Sequence, residues 1–537
     1  MNKTFPEFKL IDSVSFNNFK PFGEKMQYFS RKPITLIYGP NSVGKSSLIH
    51  LLAYHHKSLF EGDFDIGELS DFGDSISLGG FKEFVHKKNE NNTIKLEYVL
   101  NFIPHHHSKS KIIMDIGIPA KEHKAKDVKI QYAFDNEVFI DINYISDGHY
   151  SATVHAKHKM IKEWTDEIFK DYENWNIEAL EKALDLETPI KFPIKGRFNE
   201  SFIKNAYFSD KCSKDDLHNR KVDYLFNWSP KQEELKLPIS DISKAGNQFS
   251  DLDGSCMLLE DDVILSLRSI LCQLALEEVF NMHQQIKSLD KVAKNYFTNF
   301  SYIGPLRFYP KRNDNIQGNL NSNTIVNQLK EKHDIINKLN DWFANDKLNL
   351  PYKIEYKHYY DRDKILDENG LVMQHMLDSP ADIKELLFKD KRTNTLVHNR
   401  EMGLGVTQIL PILIETIGKK YSTIAVEQPE LHLHPALQME IADEFIRSYT
   451  ENSNNFLIET HSEHLLLRIM KRMRYAAEDK EGRDKTLDLT PDDVCLLYVD
   501  NNGEFTYINE LELAADGSLL DPWPNGFFEE GYKERFD

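Results

Sequence analysis

The sequence predicts an α/β protein in which a parallel-rich sheet carries helices on its faces, an antiparallel β meander is attached, and a mainly helical lobe is inserted. Three patterns support this prediction. Helices and strands alternate over residues 401–511, polar and apolar residues alternate over residues 93–155, and apolar residues recur at helical spacing within residues 258–298. Alternating helices and strands indicate a parallel sheet, and a period of two indicates strands with one buried face.

The patterns divide the chain into three parts. Residues 1–155 hold a buried strand, "ITLIYG", a helix, "KSSLIHLLAYHHKSL", and the meander, so we expect the N-terminal part of the main domain there. Residues 156–298 are the predicted helical lobe, whose apolar stripe is either core or a dimer contact. Residues 299–537 complete the main domain with helix "GVTQILPILIETI", strands "TIAVEQ" and "NFLIETH", and the final strands "VCLLYVD" and "EFTYINEL".

A glycine-rich segment between the first buried strand and its helix carries the strongest functional signal. "GPNSVGKS" (39–46) fits the pattern G-x-x-x-x-G-K-[ST], in which backbone N–H groups surround the β-phosphate of a nucleotide. Gly39 and Gly44 allow the loop to curl. In such a loop Lys45 reaches the β- and γ-phosphates and the Ser46 hydroxyl binds Mg²⁺. We therefore expect ATP and Mg²⁺ as ligands.

A second candidate site follows the strand at 422–427. Glu427 ends this strand, where its carboxylate can serve Mg²⁺ directly or through water. The next residue, Gln428, can orient a water molecule but cannot accept its proton. Glu430 can accept a proton but lies two positions further on, after a proline. We predict slow or partner-dependent hydrolysis, with the hydrolytic role left open between Gln428 and Glu430.

Two further segments hold candidate contacts to the nucleotide. "IETHS" (458–462) presents His461 at the end of the following strand, where it can sense the γ-phosphate. "EMGLGVTQILP" (401–411) opens a helix with two glycines and has Thr407 and Gln408 in its first turn. Free N–H groups and the helix dipole at that end can bind a γ-phosphate presented by a second subunit; alternatively, the glycines form a plain turn before a core helix.

In order along the chain, these segments resemble those of an ABC-type ATPase head, and more narrowly those of the OLD-like ATPases of bacterial genome-defence systems. The tail "DGSLLDPWPNGFFEE" (516–530) is typical of one subgroup, within which the chain most resembles the PtuA-like ATPases of Septu and retron-associated anti-phage systems. The resemblance covers residues 1–105 and 300–537. The matching motifs are "LIYGPNSVGKSSLI", "LGGFKEFVH", "YIGPLR", "GLGVTQILP", "EQPELHLHP" and "ETHSEHLLLRI".

The resemblance implies roles for individual residues. Glu427 takes the Walker B position, His461 takes the position of the switch histidine, and Gln428 takes that of the usual catalytic glutamate. The signature segment matches loosely, because the usual Leu-Ser-Gly-Gly-Gln is reduced to "LGVTQ". The implied ligands of ATP–Mg²⁺ in the P-loop are Gly39, Asn41, Ser42, Gly44, Lys45, Ser46 and Ser47, and the implied ligands in trans are Gly403, Gly405, Thr407 and Gln408.

The resemblance also implies partners. Heads of this type form a homodimer around ATP, and a higher oligomer is expected for this group. PtuA-like ATPases work with a separate HNH nuclease (PtuB-like), and retron versions add a reverse transcriptase and its msDNA, an RNA–DNA product of a noncoding RNA. OLD nucleases carry a Toprim domain with an Asp-x-Asp cluster, which residues 462–537 do not contain. We therefore expect no nuclease site here, with Asp492, Asp493 and Asp500 in loops and strand ends.

Composition limits the alternatives. The net charge of −19 argues against a protein that coats nucleic acid with its whole surface. Residues 109–129 and 471–485 offer a local basic face; otherwise their lysines and arginines are solvated on a loop and a helix. No apolar run reaches the roughly 18–20 residues that span a bilayer, and the start lacks the apolar region of a secretory signal. We expect a cytoplasmic protein without membrane contact.

Three functions remain open at this stage. In the first, ATP binding controls the assembly or activity of a partner nuclease. In the second, the chain is an SMC-like ATPase of DNA repair or chromosome organisation that acts on DNA directly, although long coiled-coil arms are lacking. In the third, the P-loop is vestigial and the chain is a scaffold. Arg307, in "GPLRFYPKR", contacts nucleotide, partner or nucleic acid, or is a buried structural arginine.

Overall fold

A computed structural model of the chain gives the fold. The described residues are 11–61, 64–69, 76–100, 110–119, 122–134, 137–146, 149–155, 190–195, 300–305, 307, 333–344, 350–359, 383–397 and 401–528. The strands are β1 (Ile11–Phe16), β2 (Gln27–Ser30), β3 (Ile34–Tyr38), β4 (Glu68–Leu69), β5 (Ile76–Ser77), β6 (Ile94–Leu100), β7 (Ser110–Gly117), β8 (Lys126–Phe134), β9 (Glu137–Ser146), β10 (His149–Val154), β11 (Ile190–Lys195), β12 (Phe300–Ile303), β13 (Tyr352–Tyr359), β14 (Ile383–Asp390), β15 (Thr395–Val397), β16 (Thr423–Glu427), β17 (Asn455–Glu459), β18 (Val494–Asn501) and β19 (Thr506–Leu511). The helices are α1 (Lys45–Glu61), α2 (Phe81–Phe84), α3 (His333–Trp342), α4 (Leu404–Gly418), α5 (Pro435–Asn452) and α6 (Glu463–Ala477).

A six-stranded sheet forms the centre of the main domain. Its order is β12-β16-β17-β3-β18-β19, and all neighbours are parallel except β18 and β19. The strand before the P-loop, β3, therefore lies beside β17, and β17 separates it from β16. This order brings the carboxyl ends of β3, β17 and β16 to one edge of the sheet, where α/β proteins bind ligands.

The central sheet separates two hydrophobic cores, because successive side chains of a strand point to opposite faces. Ile424 and Val426 of β16 enter the core under α4, α5 and α6, whereas Ala425 enters the core that contains α1. The same alternation holds in β17, where Leu457 faces α1 and its two neighbours face the other core. Strands that are buried on both faces explain the continuous apolar runs in the sequence.

The meander forms an eight-stranded antiparallel sheet in the order β11-β10-β9-β8-β7-β6-β1-β2. This sheet confirms the antiparallel meander that was predicted from the alternation of polar and apolar residues. One part of the prediction was wrong, since residues 110–117 of the presumed basic loop form strand β7 between β6 and β8. The first strands of the chain, β1 and β2, extend this sheet, and its core residues pack with those of α1.

The fold class is confirmed as α/β with a parallel-rich sheet and an antiparallel sheet. Within the predicted lobe at 156–298, the structure describes residues 190–195, which form β11 and pair with β10. The predicted long helix at 258–298 lies outside the described residues. The sequence pattern predicts strands near 352–358 and 394–398, and the structure adds β14 between them in a three-stranded sheet, β13-β14-β15. Among the described helices, none is long and apolar enough to cross a membrane.

Candidate functional site

The loop between β3 and α1 requires its two outer glycines. Gly39 has a φ of +143°, and a Cβ added there would lie 2.0 Å from the carbonyl oxygen of Val499. Gly44 has a φ of +106°, and its added Cβ would lie 2.4 Å from Cγ of Pro21. Both positions therefore exclude side chains by backbone conformation and by space. The loop is also held from the far side, because the hydroxyl of Thr506 donates to the carbonyl of Val43 at 2.9 Å.

Lys45 lies folded back onto this loop. Its Nζ donates to the carbonyl oxygens of Pro40 at 2.7 Å and Gly39 at 3.1 Å, and the residue is 4% exposed. Burial lowers the pKa of Lys45, and the neighbouring carboxylates Glu459, Glu430 and Glu427 oppose this shift. The ammonium group therefore has polar partners that phosphate oxygens could replace without moving it into a less polar environment.

The other predicted P-loop residues occupy both sides of the loop. Asn41 and Ser42 are exposed at its tip, and Ser42 has a φ of +63°. Ser47 is buried in the first turn of α1, where its N–H donates to the carbonyl of Gly44 at 3.0 Å. Ser46 points towards the ends of the neighbouring strands, and its partner there was not predicted from the sequence.

That partner is Glu459, the last residue of β17. The Ser46 hydroxyl donates to Oε2 of Glu459 at 2.6 Å, and it also lowers the pKa of Glu427. Glu427 and Glu459 are register partners on adjacent parallel strands. Their carboxylates thus lie near each other beside the hydroxyl that the P-loop motif assigns to Mg²⁺.

Burial and mutual repulsion act on both carboxylates. The pKa of Glu427 is raised to about 7 by burial and by the charge of Glu459, against hydrogen bonds from Tyr302 and Ser46. Burial also raises the pKa of Glu459 above its usual range, against the hydrogen bond from Ser46. Two buried carboxylates on adjacent strands favour protonation of one of them or the binding of a cation.

Glu427 is further held by residues from the start of the chain and from β12. Tyr302 donates its hydroxyl to Oε1 of Glu427 at 3.0 Å, and Nε2 of His50 lies 3.6 Å from the same oxygen. Lys20 Nζ lies 2.6 Å from His50 Nδ1, so Nδ1 accepts a hydrogen bond from the ammonium group. The ring proton is therefore on Nε2, and this N–H faces Glu427. Burial, reinforced by Lys20, lowers the pKa of His50 to about 3, so the ring is neutral.

Gln428 begins the loop after β16 with a φ of +45°. Its backbone N–H donates to the carbonyl of Glu459 at 2.7 Å, which ties the loop to β17. Arg307 is 5% exposed and donates through one guanidinium nitrogen to the carbonyls of Glu427 at 2.7 Å and Gln428 at 2.9 Å. The structural alternative for Arg307 is therefore the one observed: the arginine holds the main chain of the Walker B loop.

Both oxygens of Glu430 accept hydrogen bonds from the end of β17. Thr460 donates its hydroxyl to Oε2 at 2.7 Å, and the N–H of His461 donates to Oε1 at 2.7 Å. The carboxylate of Glu430 therefore holds the segment that carries His461. Burial lowers the pKa of His461, and its Nε2 is buried without a hydrogen-bond partner in the described part of the chain.

The C-terminal tail packs beside this histidine. The ring of Phe527 lies 6.4 Å from that of His461, and the rings of Trp523 and Phe528 each lie 5.6 Å from Tyr38, the last residue of β3. Tyr38 in turn donates its hydroxyl to the carbonyl of Ser462 at 3.0 Å. The tail thus supports the strand end that leads into the P-loop.

The glycine-opened helix α4 supports the Walker B loop within the same subunit. Thr407 and Gln408 are 3% and 4% exposed, and Gln408 donates to the carbonyl of Arg307 at 3.1 Å. A Cβ added to Gly405 would lie 3.0 Å from the carbonyl of His432. The predicted contact of Gly405, Thr407 and Gln408 with ATP of a second subunit stays a prediction, and the two buried side chains are directed into their own subunit.

The acidic residues near the C-terminus have structural partners. Asp493 accepts hydrogen bonds from Tyr449 at 2.6 Å and from Thr490, and Asp500 accepts one from Asn525 at 2.8 Å. Asp492 lies in a turn before β18. Over the parts of the chain that are described, no three His, Cys, Asp or Glu side chains are grouped to hold a metal ion.

Part of the positive charge of the two basic stretches is paired with acids of the same chain. Lysines of β7 and β8 pair with acids on β6, on β9 or in the preceding turn, and two arginines of 471–485 pair with nearby aspartates. Such pairing reduces the charge that either stretch can offer to a phosphate backbone. The ion pairs are Lys111–Glu97, Lys126–Glu122, Lys129–Asp141, Arg472–Asp443 and Arg483–Asp488.

The donor set fits ATP and Mg²⁺. Gly39 and Gly44 adopt positive φ angles, which let the loop curl as a phosphate-binding loop requires. Ser46, Glu427 and Glu459 offer oxygen ligands only, which Mg²⁺ prefers. Sequence analysis missed Glu459, Tyr302, His50 and Lys20. "IETHS" contains Glu459 at the strand end, and that position was the available signal.

The chain matches one protein-family model and is similar to several solved structures. A family model described as an AAA ATPase domain matches residues 10–466. No curated protein matches the sequence. Similar solved structures include an SMC head bound to the C-winged helix domain of ScpA, with a TM-score of 0.36, 10% identity and coverage of 94% of this chain and 98% of that chain. The SMC head domain from Thermotoga maritima has a TM-score of 0.33 and 8% identity, over 94% of this chain and 100% of that chain. The SMC head domain with a coiled coil and joint from Pyrococcus yayanosii has a TM-score of 0.34 and 10% identity, over 98% and 99%. Identity and TM-score are low in all three.

Proposed function

The chain belongs to the AAA ATPase domain family, and from that premise we propose that it is a slow, Mg²⁺-dependent ATPase subunit of a bacterial anti-phage defence complex. ATP binding, rather than rapid turnover, would control a partner HNH nuclease of the PtuB-like kind. The observation that carries the proposal is a complete P-loop whose Ser46 donates to Glu459, the register partner of Glu427. The residue after Glu427 is an amide, Gln428, at the position of the usual base.

Binding would use groups that are already in place. Lys45 would exchange the carbonyls of Gly39 and Pro40 for phosphate oxygens, and the N–H groups of the loop would surround the β-phosphate. Ser46 and Glu427 would hold Mg²⁺, which when bound neutralises charge on the β- and γ-phosphate oxygens. His461, with Nε2 buried and unpartnered, would contact the γ-phosphate side of the site.

Hydrolysis would be slow because neither candidate residue is an available base. Gln428 orients water without accepting its proton, and both oxygens of Glu430 already accept hydrogen bonds. We expect turnover below about 1 per second, the lower end of typical enzyme rates. A slow site suits a switch, because the ATP-bound state persists long enough to select one assembly of subunits.

The partners proposed are a second ATPase head, a higher oligomer, the HNH nuclease and, in a retron version, a reverse transcriptase with msDNA. The motifs shared with PtuA-like ATPases support this choice. The internal ion pairs of both basic stretches weigh against the SMC-like alternative, which needs a face for DNA. A dimer around ATP would use the N-terminal end of α4, with Gly403 and Gly405 offering main-chain N–H groups to the partner's γ-phosphate.

The test uses the chain alone and together with the protein of the adjacent gene. We expect nuclease activity only in the complex, with a dependence on ATP that Lys45→Ala removes. Cleavage of nucleic acid by the chain alone, independent of Lys45, would contradict the proposal. Turnover that DNA stimulates strongly in the absence of any partner would favour the SMC-like alternative instead.

A further inference from the structure

Two carboxylates, rather than one, lie beside the hydroxyl of the P-loop. Glu427 and Glu459 are register partners on β16 and β17, and neighbouring strands lie about 4.8 Å apart. Residues in register on parallel strands direct their side chains to the same face, so both carboxylates lie on one side of the sheet. They are 5% and 6% exposed, respectively.

The hydroxyl of Ser46 lies beside both carboxylates. It donates to Oε2 of Glu459 at 2.6 Å, and it lowers the pKa of Glu427. A P-loop serine binds the metal through this same oxygen. A cation that binds the Ser46 oxygen would therefore lie beside Glu459 as well as Glu427.

Glu459 forms no direct ion pair among the described residues. The charge of Lys45 lowers the pKa of Glu459, but the ammonium group of Lys45 hydrogen-bonds the carbonyls of Gly39 and Pro40 instead of the carboxylate. A buried carboxylate without a cation is costly, and a divalent ion with oxygen ligands offsets that cost. A cation bound beside Glu459 would therefore stabilise the buried carboxylate.

We propose that Glu459 is a second carboxylate ligand of the divalent cation that accompanies ATP, acting beside Ser46 and Glu427. This inference rests on the proposed function, because the cation arrives with the nucleotide. In such a site Glu459 leaves its hydrogen bond with Ser46 and faces the metal, directly or through a water molecule. The extra ligand would favour Mg²⁺ and Mn²⁺, which accept carboxylate oxygens, over softer cations.

The experiment separates metal affinity from nucleotide affinity. Binding of a fluorescent ATP analogue is measured in EDTA, and Mn²⁺ binding to the full chain with a non-hydrolysable ATP analogue is then followed by electron paramagnetic resonance. For Glu459→Gln we expect Mn²⁺ affinity about 10- to 100-fold weaker and nucleotide affinity in EDTA unchanged. Glu451→Gln, on the exposed end of α5, is the matched control and should change neither value.

Glu459→Asp provides a second variant that retains the charge. It should weaken Mn²⁺ binding less than Glu459→Gln does. Unchanged Mn²⁺ affinity in Glu459→Gln with intact nucleotide binding would overturn this inference alone, as would equal weakening by both variants. Absence of nucleotide binding by the wild-type protein would instead overturn the proposed function, and this inference with it.

Discussion

The carboxylate of Glu430 accepts a hydrogen bond from the backbone N–H of His461 at 2.7 Å. The loop after β16 therefore holds the segment that follows β17 and carries His461. The hydroxyl of Thr460 donates to the other oxygen of Glu430. From this arrangement we expect Glu430 to affect hydrolysis by positioning His461.

Glu430→Gln should lower turnover moderately while ATP affinity stays within about twofold. The amide can accept only one of the two hydrogen bonds, which costs about 1–2 kcal/mol, or roughly 5- to 30-fold in rate. Thr460→Val removes one of the same bonds without touching a carboxylate, and it should act in the same direction. Steady-state turnover with a parallel unfolding titration measures both effects. A loss of 10²-fold or more in Glu430→Gln, with full stability and an active Thr460→Val, would make Glu430 the base.

Gln428→Glu should raise turnover, because it places a proton acceptor directly after the Walker B carboxylate. General-base catalysis contributes about 10²- to 10⁴-fold when geometry is favourable, so a rise of about 10-fold is expected from an unoptimised site. The positive φ at this position is equally compatible with Gln and Glu. Release of inorganic phosphate at saturating ATP measures the change. If turnover did not increase and Glu430→Ala abolished it, the hydrolytic role would pass to Glu430.

Gly39→Ala should destabilise the protein and abolish nucleotide binding. Its Cβ would lie 2.0 Å from the main-chain oxygen of Val499, and φ is +143°. We expect a loss of about 2–4 kcal/mol of unfolding free energy from overpacking and backbone strain. Gly403→Ala is the control, because no atom lies within 4 Å of its added Cβ and its φ is −59°. Comparable destabilisation of the two variants in denaturant would show that the P-loop packing described here is wrong.

The stability of the protein without ligands should fall as pH rises from about 5 to 8. Glu427 has a pKa raised to about 7 in the fold by burial and by Glu459, whereas in the unfolded chain it has an ordinary value. Between these two values the folded state binds more protons than the unfolded state, so unfolding free energy decreases with pH and the loss is complete above the folded pKa. One pKa unit corresponds to 1.36 kcal/mol, which gives an expected loss of about 1–3 kcal/mol. Denaturant midpoints should show this slope in wild type and Glu451→Gln, and a smaller slope in Glu427→Gln; an identical slope in all three would refute the assignment.

The sequence predicted correctly those elements whose pattern lies within one continuous segment. The P-loop is contiguous, so its strand, glycines, lysine and helix could be recognised together, and strands β16 to β19 were identified from apolar runs and alternation. Strand β7 was taken for a loop because it lies in the lysine-rich stretch 109–129, although Lys111 pairs with Glu97 on the neighbouring strand β6. The order of charges along the sequence does not show which lysines form ion pairs across a sheet.

The second carboxylate was missed because its importance depends on strand order. Glu459 and Glu427 are separated by a whole helix, α5, and they become neighbours only because β16 and β17 pair in parallel register. The buried side chain of Gln408 likewise hydrogen-bonds Arg307, which lies about a hundred positions earlier and itself hydrogen-bonds the loop after β16. Relationships of this kind follow from tertiary pairing, and no spacing within one segment encodes them.

Nucleotide binding at the P-loop is the central claim, and a titration of the purified chain with a fluorescent ATP analogue, with and without Mg²⁺, tests it most directly. We expect saturable binding that Mg²⁺ strengthens, and a weakening of about 100-fold in Lys45→Ala, which corresponds to about 3 kcal/mol for a lost charge-assisted contact. Lys389→Ala, which removes a lysine from β14, should bind as the wild type does. Equal affinity of wild type and Lys45→Ala, or no binding by either, would contradict the account.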